Sequence, residues 1–276
     1  MNDEIAVTLA GLTFSCRLRY PETAAFFQKP DPGAPRVGTG SVCLTESDWQ
    51  YFQSNGATDS AHSEYSLLCI PFSNALLPYD RVLIHGVAMR WHEEAYLICA
   101  PSGTGKSTQA RFLQELRPGE FSVICGDRPA LEFRKLPSAS VSSTGAEGAA
   151  EKSAHVSGLH TMGKVPSMRT SETDEISSVI VHPSPWNGKE DWKGAPAAPL
   201  AGIILLERGD KNALLAISPR EASLFMFAQF IQTAVNPDHI RRTAELVTRL
   251  LNSVPIWKLT THDVPASTSL LLEAVF

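Results

Sequence analysis

The chain has 276 residues, 24 of them basic and 29 acidic, and a formal net charge of −5. This balance argues against a protein that binds nucleic acid through the phosphate backbone, because such proteins are basic. No run of 18 apolar residues is present, which predicts that no segment spans a membrane. The five cysteines form no CxxC pair, which disfavours a disulfide framework or a zinc site. Together with an acidic N-terminus that does not resemble a signal peptide, this predicts a cytoplasmic protein.

The first part of the chain predicts a small β-rich subdomain over residues 1–60, followed by a larger domain over 61–276. Alternation in EIAVTLAGLTFSCRL, interrupted by a glycine, predicts a hairpin. Apolar residues at helical spacing predict a helix from His62 to Leu77. The run RVLIHGVAMRW predicts one strand that contains His85, and AYLICA predicts a short buried strand after a turn.

The remaining elements alternate between strand and helix patterns. FSVICGDRPALEF predicts a buried strand, whereas residues 135–178 are rich in Ser, Thr, Gly and Ala and predict a mobile insertion. LAGIILLERGD, NALLAIS and VPIWKLTT predict strands. PREASLFMFAQFIQTAV predicts a helix that starts at Pro219, a second helix is expected over 238–252, and ASTSLLLEAVF predicts a terminal helix. This order predicts an α/β fold with a mixed β-sheet flanked by helices.

The segment APSGTGKST, residues 100–108, fits a phosphate-binding loop (P-loop) in which Ala replaces the first glycine. Glycines in such a loop turn backbone N–H groups toward an anion, and the helix that follows favours phosphate at its N-terminus. The lysine of the pattern contacts the terminal phosphates and the next hydroxyl binds Mg²⁺. The alternative is a chance glycine-rich turn. The predicted cofactors are ATP and Mg²⁺, held by Ser102, Gly103, Thr104, Gly105, Lys106, Ser107 and Thr108.

A carboxylate is needed near the phosphates, as a base or as a metal ligand. Asp127 ends the strand that follows the helix of the loop, so it is predicted as a catalytic residue and, with Ser107, as a Mg²⁺ ligand. A turn or helix-cap aspartate before Pro129 is the alternative. The adjacent Arg128 is either a partner of a phosphate or carboxylate, or a solvated surface arginine.

Several motifs resemble a known family. HGVAM at 85–89, the loop, and GDRPAL at 126–131 resemble the C-terminal kinase domain of HPr kinase/phosphorylase, whose fold is similar to that of ATP-dependent phosphoenolpyruvate carboxykinase. With SPWNGK and LLERG added, the chain resembles HPr-kinase-related proteins found beside peptide-modification gene clusters, a set that includes lasso-peptide kinases. The resemblance covers residues 62–262 approximately. It implies a P-loop kinase fold that uses ATP and Mg²⁺.

The chain departs from this family in two respects. HPr kinases usually have two adjacent acids where this chain has Gly126-Asp127, so one carboxylate remains. No counterpart of the family's Arg-Gly-rich signature is found. Both departures argue against HPr as the acceptor.

Three more residues are assigned roles by chemistry and by the resemblance. His85 is expected to hydrogen-bond a phosphate or Asp127, or else to be a satisfied core histidine. Lys189, in the segment SPWNGK, is the expected second phosphate cation, and the alternative is a turn in which Trp186 fills the core. Arg208 is expected to stabilise the charge of the transferred group, unless it is a solvated turn residue. The predicted catalytic residues are therefore Asp127, Lys106, His85 and Arg208.

The leading functional hypothesis is an ATP-dependent kinase that acts on a hydroxyl, with serine favoured, of a peptide or a small molecule. The alternative is a non-catalytic, nucleotide-dependent binding or regulatory module of a peptide-modification system. A phosphoenolpyruvate-carboxykinase-type enzyme is a third hypothesis, but it needs a metal-binding Lys/His pair that the sequence does not reveal. The expected partners are a nucleotide and a hydroxyl acceptor, with no nucleic acid and no membrane. Self-association into a homo-oligomer is left open.

Overall fold

The structure is a computed structural model, and the residues it describes fall into six stretches. They are 3–29, 31–135, 176–190, 192, 194–231 and 236–276. Most of the predicted insertion at 135–178 lies outside the described residues. Its two ends differ from the prediction, because Lys135 ends one strand and Ile176 begins the next.

The described residues form twelve strands and six α-helices, with short 3₁₀ turns at Pro21–Phe26 and Leu77–Tyr79. The strands are β1 (Asp3–Leu9), β2 (Leu12–Leu18), β3 (Arg36–Val42), β4 (Arg81–Leu83), β5 (Val87–Trp91), β6 (Glu94–Cys99), β7 (Phe121–Cys125), β8 (Ala130–Lys135), β9 (Ile176–His182), β10 (Ala198–Arg208), β11 (Ala213–Ala216) and β12 (Ile256–Thr261). The helices are α1 (Glu46–Ser54), α2 (Ala61–Leu76), α3 (Lys106–Leu116), α4 (Pro219–Phe227), α5 (Pro237–Ser253) and α6 (Val264–Ala274).

The N-terminal strands form a sheet of their own, in the order β1-β2-β3. The predicted hairpin is confirmed by β1 and β2, which pair antiparallel up to Leu9 and Leu12. Helix α1 was not expected, since the sequence of residues 1–60 predicts only strands and turns. It forms because Thr45 and Asp48 cap its first turn reciprocally and because Trp49 is buried. The division of the chain at residue 60 remains a prediction.

The larger sheet contains nine described strands and is mixed, which confirms the predicted α/β class. Its order is β4-β8-β9-β10-β6-β5-β7, and β12 and β11 continue from β10 on a branch. Strand β10 is central, because it is parallel to β6 on one side and to β12 on the other. The β6 strand and the loop that follows it therefore lie in the middle of the sheet.

Two predicted elements differ from those in the structure: one strand is divided in two, and one helix ends early. The single strand predicted for RVLIHGVAMRW is divided into β4 and β5, because the backbone N–H groups of Ile84 and Gly86 bond to the connection between β7 and β8, whereas that of His85 bonds to Gln229. The helix predicted from Pro219 onward ends at Phe227, after which the chain turns and Phe230 pairs with Ile84 in an antiparallel bridge. As a result, Gln229 and Phe230, which follow α4, lie beside His85 and Ile84.

The core has three parts, and alternating side chains of the sheet contribute to opposite sides. Leu97 and Cys99 of β6 pack with residues of α4 and α5, whereas Ile98 packs with residues of α3 and α6. A third cluster joins β1 and β2 to α2, and Trp186 lies within it with 2% exposure. Among the described residues, no helix combines the length and the apolar character that crossing a bilayer requires.

Candidate active site

The segment between β6 and α3 has the conformation expected of an anion-binding turn. Strand β6 ends at Cys99 and α3 begins at Lys106, so the predicted succession of strand, loop and helix is present. Gly103 has φ 78° and Gly105 has φ 115°, a left-handed region that other residues rarely adopt. Free backbone N–H groups in the first turn of α3 carry a positive partial charge.

The side chain of Lys106 lies inside this turn and is only 8% exposed as a residue. Its ammonium donates to the carbonyl oxygens of Ala100 at 2.9 Å and Pro101 at 3.3 Å. The same Nζ lies 3.2 Å from Nε2 of His85. Burial lowers the pKa of Lys106. The lysine is therefore already held at the site where an anion would approach the turn.

His85 lies between Lys106 and Asp127. Its Nε2 is 3.6 Å from Oδ1 of Asp127, and its Nδ1 is 3.3 Å from Oε1 of Gln229. Burial, together with the positive charge of Lys106, lowers the pKa of His85. The ring is not enclosed in the core, since 28% of the side chain is exposed. The structure thus brings together three of the four predicted catalytic residues.

Asp127 follows β7 and is held by its neighbours. Its carbonyl oxygen accepts from the backbone N–H of Gly86 at 2.8 Å, and its Oδ2 is 3.3 Å from Nε of Arg128. Arg128 is not a solvated surface arginine, because its Nη1 donates to the carbonyl of Ser66 at 2.7 Å and contacts Sγ of Cys69 at 3.0 Å. The carboxylate is 31% exposed, so it remains accessible to a second molecule.

Gly126 explains why only one carboxylate is present at this strand end. A Cβ atom on Gly126 would lie 2.5 Å from the carbonyl oxygen of Asn187 and 2.5 Å from the ring of Trp192. The N–H of Gly126 also donates to Oδ1 of Asn187 at 2.6 Å. The space that a second acid needs is therefore filled by the segment that follows β9.

Replacing Gly126 with alanine is expected to lower the free energy of unfolding by about 1–3 kcal/mol, because backbone and a ring must move to admit the methyl group. Urea denaturation followed by fluorescence measures the change. Gly40→Ala is the matched control, since a Cβ atom at Gly40 meets nothing within 4 Å. Equal stability changes in the two variants would contradict the packing argument.

The segment SPWNGK lies against both α2 and Asp127. Nε1 of Trp186 donates to the carbonyl of Tyr65 at 2.6 Å, so this tryptophan fills the core as the alternative interpretation proposed. A Cβ atom on Gly188 would lie 3.4 Å from Cβ of Asp127, which places the segment beside the carboxylate. The side chain of Lys189 is exposed and has no hydrogen bond or ion pair within the described parts of the chain. Its role as a phosphate cation remains a prediction.

Arg208, at the end of β10, contacts the turn between β6 and α3 at Thr104. Its Nε donates to the carbonyl of Thr104 at 3.1 Å, and its Nη2 lies 3.8 Å from where a Cβ atom on Gly105 would be. A cleft of about 350 Å³ separates the turn from β10 and α4. It is lined by Pro101, Ser102, Gly103, Thr104, Leu206, Glu207, Arg208 and Phe225. A guanidinium beside the turn adds a second cation for an anionic ligand.

Oxygen donors suited to Mg²⁺ are also present at the site. Ser107 is partly exposed in the first turn of α3, and Thr108 beside it is exposed. A serine hydroxyl and the Asp127 carboxylate are hard oxygen ligands of the kind that Mg²⁺ uses together with phosphate oxygens. The donor groups present therefore fit the chemistry of a nucleoside triphosphate with Mg²⁺.

Sequence reasoning missed two residues that shape the site. Gln229 contacts the ring of His85 from 144 positions away, and Asn187 binds the backbone of Gly126 from 61 positions away. Neither contact has a local signal, because a single Gln or Asn in a loop has many ordinary uses. The predicted helix runs through Gln229, so the sequence gives no sign of the first contact.

Comparison with solved structures shows a likeness to the HPr(Ser) kinase/phosphatase from Coxiella burnetii. The two chains are 10% identical with a TM-score of 0.33, and the match covers 69% of this chain and 93% of that chain. No family model and no curated protein matches the sequence. A TM-score this low describes a partial superposition and carries no conclusion about function.

Proposed function

We propose that the protein is an ATP-dependent kinase that transfers the γ-phosphoryl group to a hydroxyl of a peptide or small molecule. The observation that carries this proposal is the convergence of Lys106, His85 and Asp127 at the N-terminus of α3. Lys106 and Asp127 lie on either side of His85, at 3.2 and 3.6 Å from its Nε2. A buried cation and an accessible carboxylate at an anion-binding turn are two of the groups that enzymes use for phosphoryl transfer.

On the donor side, the residues of the turn neutralise and orient the phosphates of ATP. The N–H groups from Gly103 to Thr108 and the ammonium of Lys106 bind the β- and γ-phosphates. Arg208, fixed to the carbonyl of Thr104, supplies positive charge for the group in transfer. Ser107 and Asp127 would hold Mg²⁺, and the ion would offset the negative charge that develops on the phosphate oxygens.

On the acceptor side, Asp127 acts as the proton acceptor. The hydroxyl oxygen of the acceptor forms a bond to the γ-phosphorus as the bond to the β–γ bridging oxygen breaks, and ADP leaves. The hydroxyl proton passes to the Asp127 carboxylate. Arg128 holds this carboxylate in place through Nε while its own Nη1 is anchored on α2. Serine is the favoured acceptor residue.

A second candidate is a binding module that uses ATP to dock a peptide or an enzyme without transferring phosphate. Gly126 favours it, because the packing of Trp192 and Asn187 excludes a second acid from the strand end. A module of this kind needs the phosphate contacts of Lys106 but has no need of a base at Asp127.

Acceptor-stimulated ADP release in the presence of Mg²⁺ distinguishes the two functions. The acceptors are free serine, small hydroxyl metabolites and serine-containing peptides, and Lys106→Ala is the control. ADP release that rises with one acceptor, with a matching phosphorylated product by mass spectrometry, supports the kinase. Tight binding of Mg-ATP without any stimulated release supports the binding module and contradicts the kinase.

A further inference from the structure

The segment that follows α4 contacts both the backbone and the ring of His85. The carbonyl of Gln229 accepts from the backbone N–H of His85 at 2.7 Å, and the N–H of Ile231 donates to the carbonyl of Leu83 at 2.9 Å. Gln229 is only 7% exposed. Its side chain is therefore fixed beside the His85 ring by a short stretch of antiparallel pairing.

The hydrogen-bond partners around His85 determine which ring nitrogen carries the proton. Lys106 offers only donors, so Nε2 of His85, 3.2 Å from its ammonium, must accept. A neutral imidazole has one N–H, which then lies on Nδ1 and donates to Oε1 of Gln229 at 3.3 Å. The amide group of Gln229 points the same way, because its Nε2 faces the carbonyl of Phe225 at 3.5 Å.

The opposite tautomer of His85 would place a hydrogen-bond donor beside Asp127, the proposed base. With the proton on Nε2, the N–H of His85 would face Oδ1 of Asp127, 3.6 Å away, and the ammonium of Lys106, 3.2 Å away. Oδ2 of that carboxylate already faces Nε of Arg128 at 3.3 Å. Both oxygens of Asp127 would then face a donor. This arrangement would weaken Asp127 as a proton acceptor.

We propose that Gln229 is a positioning residue that keeps the proton of His85 on Nδ1, so that Nε2 accepts from Lys106 and no N–H of His85 competes for Oδ1 of Asp127. The catalytic consequence rests on the proposed kinase function, whereas the tautomer does not. The chain of donors runs in one direction, from Lys106 through His85 and Gln229 to the carbonyl of Phe225.

The nitrogen-15 chemical shifts of the His85 ring, measured at about pH 8 so that an ordinary histidine is neutral, report the tautomer without any kinase activity. His85→Gln assigns the signals. We expect a protonated Nδ1 in the wild-type protein and in Gln229→Glu, which keeps an oxygen acceptor at this position. In Gln229→Met, of similar size but without the oxygen acceptor, the nitrogen-15 shifts of the two ring nitrogens should move toward each other or exchange. A protonated Nε2 in the wild type, or unchanged shifts in Gln229→Met, would overturn the proposal.

Kinetics test the consequence for transfer. Gln229→Met should lower kcat about tenfold with an unchanged KM for ATP, and Gln229→Glu should restore most of the rate. An unchanged kcat in a variant whose shifts have moved contradicts the positioning role. Absence of turnover in the wild type contradicts the kinase function, and the shifts still decide the tautomer. If Gln229→Met does not fold, Gln229→Asn withdraws the oxygen by one carbon and gives the same comparison.

Discussion

Replacing Lys106 with alanine is expected to lower phosphoryl transfer by at least about a hundredfold, the loss typical of removing one preorganised group that stabilises transition-state charge. Lys106 is the buried cation of the turn, and its ammonium is held by Ala100, Pro101 and His85. No other described cation lies at this point of the turn, since Arg208 contacts its outer side at Thr104. Nucleotide binding should weaken together with turnover.

Lys106→Met separates the loss of charge from the loss of packing. The methionine keeps much of the side-chain volume. Stability should change little, because the ammonium no longer has to be desolvated but the carbonyl oxygens of Ala100 and Pro101 lose their donor. ADP release and urea denaturation are measured on the same preparations. Lys211→Ala, which removes an exposed lysine, is the control and should behave as the wild type. Full turnover in Lys106→Met would rule out a role in transfer.

Replacing Asp127 with asparagine is expected to lower turnover by about 10²–10⁴-fold while ATP still binds, because an amide has the shape of the carboxylate but cannot accept the hydroxyl proton. The amide oxygen can still face Arg128, so the local packing should persist. Isothermal titration measures binding of Mg-ATP, and ADP release measures turnover. Asp210→Asn, at an exposed aspartate, is the matched control.

The outcome at Asp127 also separates the two candidate functions. A kinase loses transfer and keeps binding in Asp127→Asn, whereas a binding module shows the same weak nucleotide consumption in both proteins. Substantial turnover in Asp127→Asn would show that another group accepts the proton. His85 is then the first alternative to test, since its Nε2 lies 3.6 Å from Oδ1 of Asp127.

Much of the fold could be predicted because its elements have strong local patterns. The helix expected from His62 to Leu77 is α2, Ala61–Leu76, and the helix expected over 238–252 is α5, Pro237–Ser253. In both, apolar spacing and a capping residue agree. Helix α1 was missed because its sequence is mostly polar and is stabilised by one capping pair and one buried tryptophan, Trp49.

The site was predictable only where its residues are close in sequence or belong to a motif. Gly103, Gly105 and Lys106 follow from one short pattern between a strand and a helix. Asp127 was predicted from its position at the end of the strand that follows the helix of the loop, and His85 with the help of the family resemblance. The structure places both beside Lys106.

The contacts that complete the site depend on strand pairing, which the sequence does not encode locally. The end of α4 turns toward His85 because Phe230 pairs with Ile84, more than 140 positions earlier in the chain. The packing of Trp192 against Gly126 arises in the same way, from a segment that returns after β9. A pattern of apolar residues indicates the type of an element but not the long-range partner that ends it.

The pairing of β8 with β9 has a consequence for engineering the chain. Lys135 and Ile176 are register partners, next to an irregularity in the ladder between Arg134 and Lys135. An Asn-Gly turn of two residues can therefore join the two strands directly beyond this pair, in place of residues 136–175. Such a shortened protein would keep the whole of β8, β9 and the turn around Lys106, and it would show whether residues 136–175 are needed for nucleotide binding and transfer.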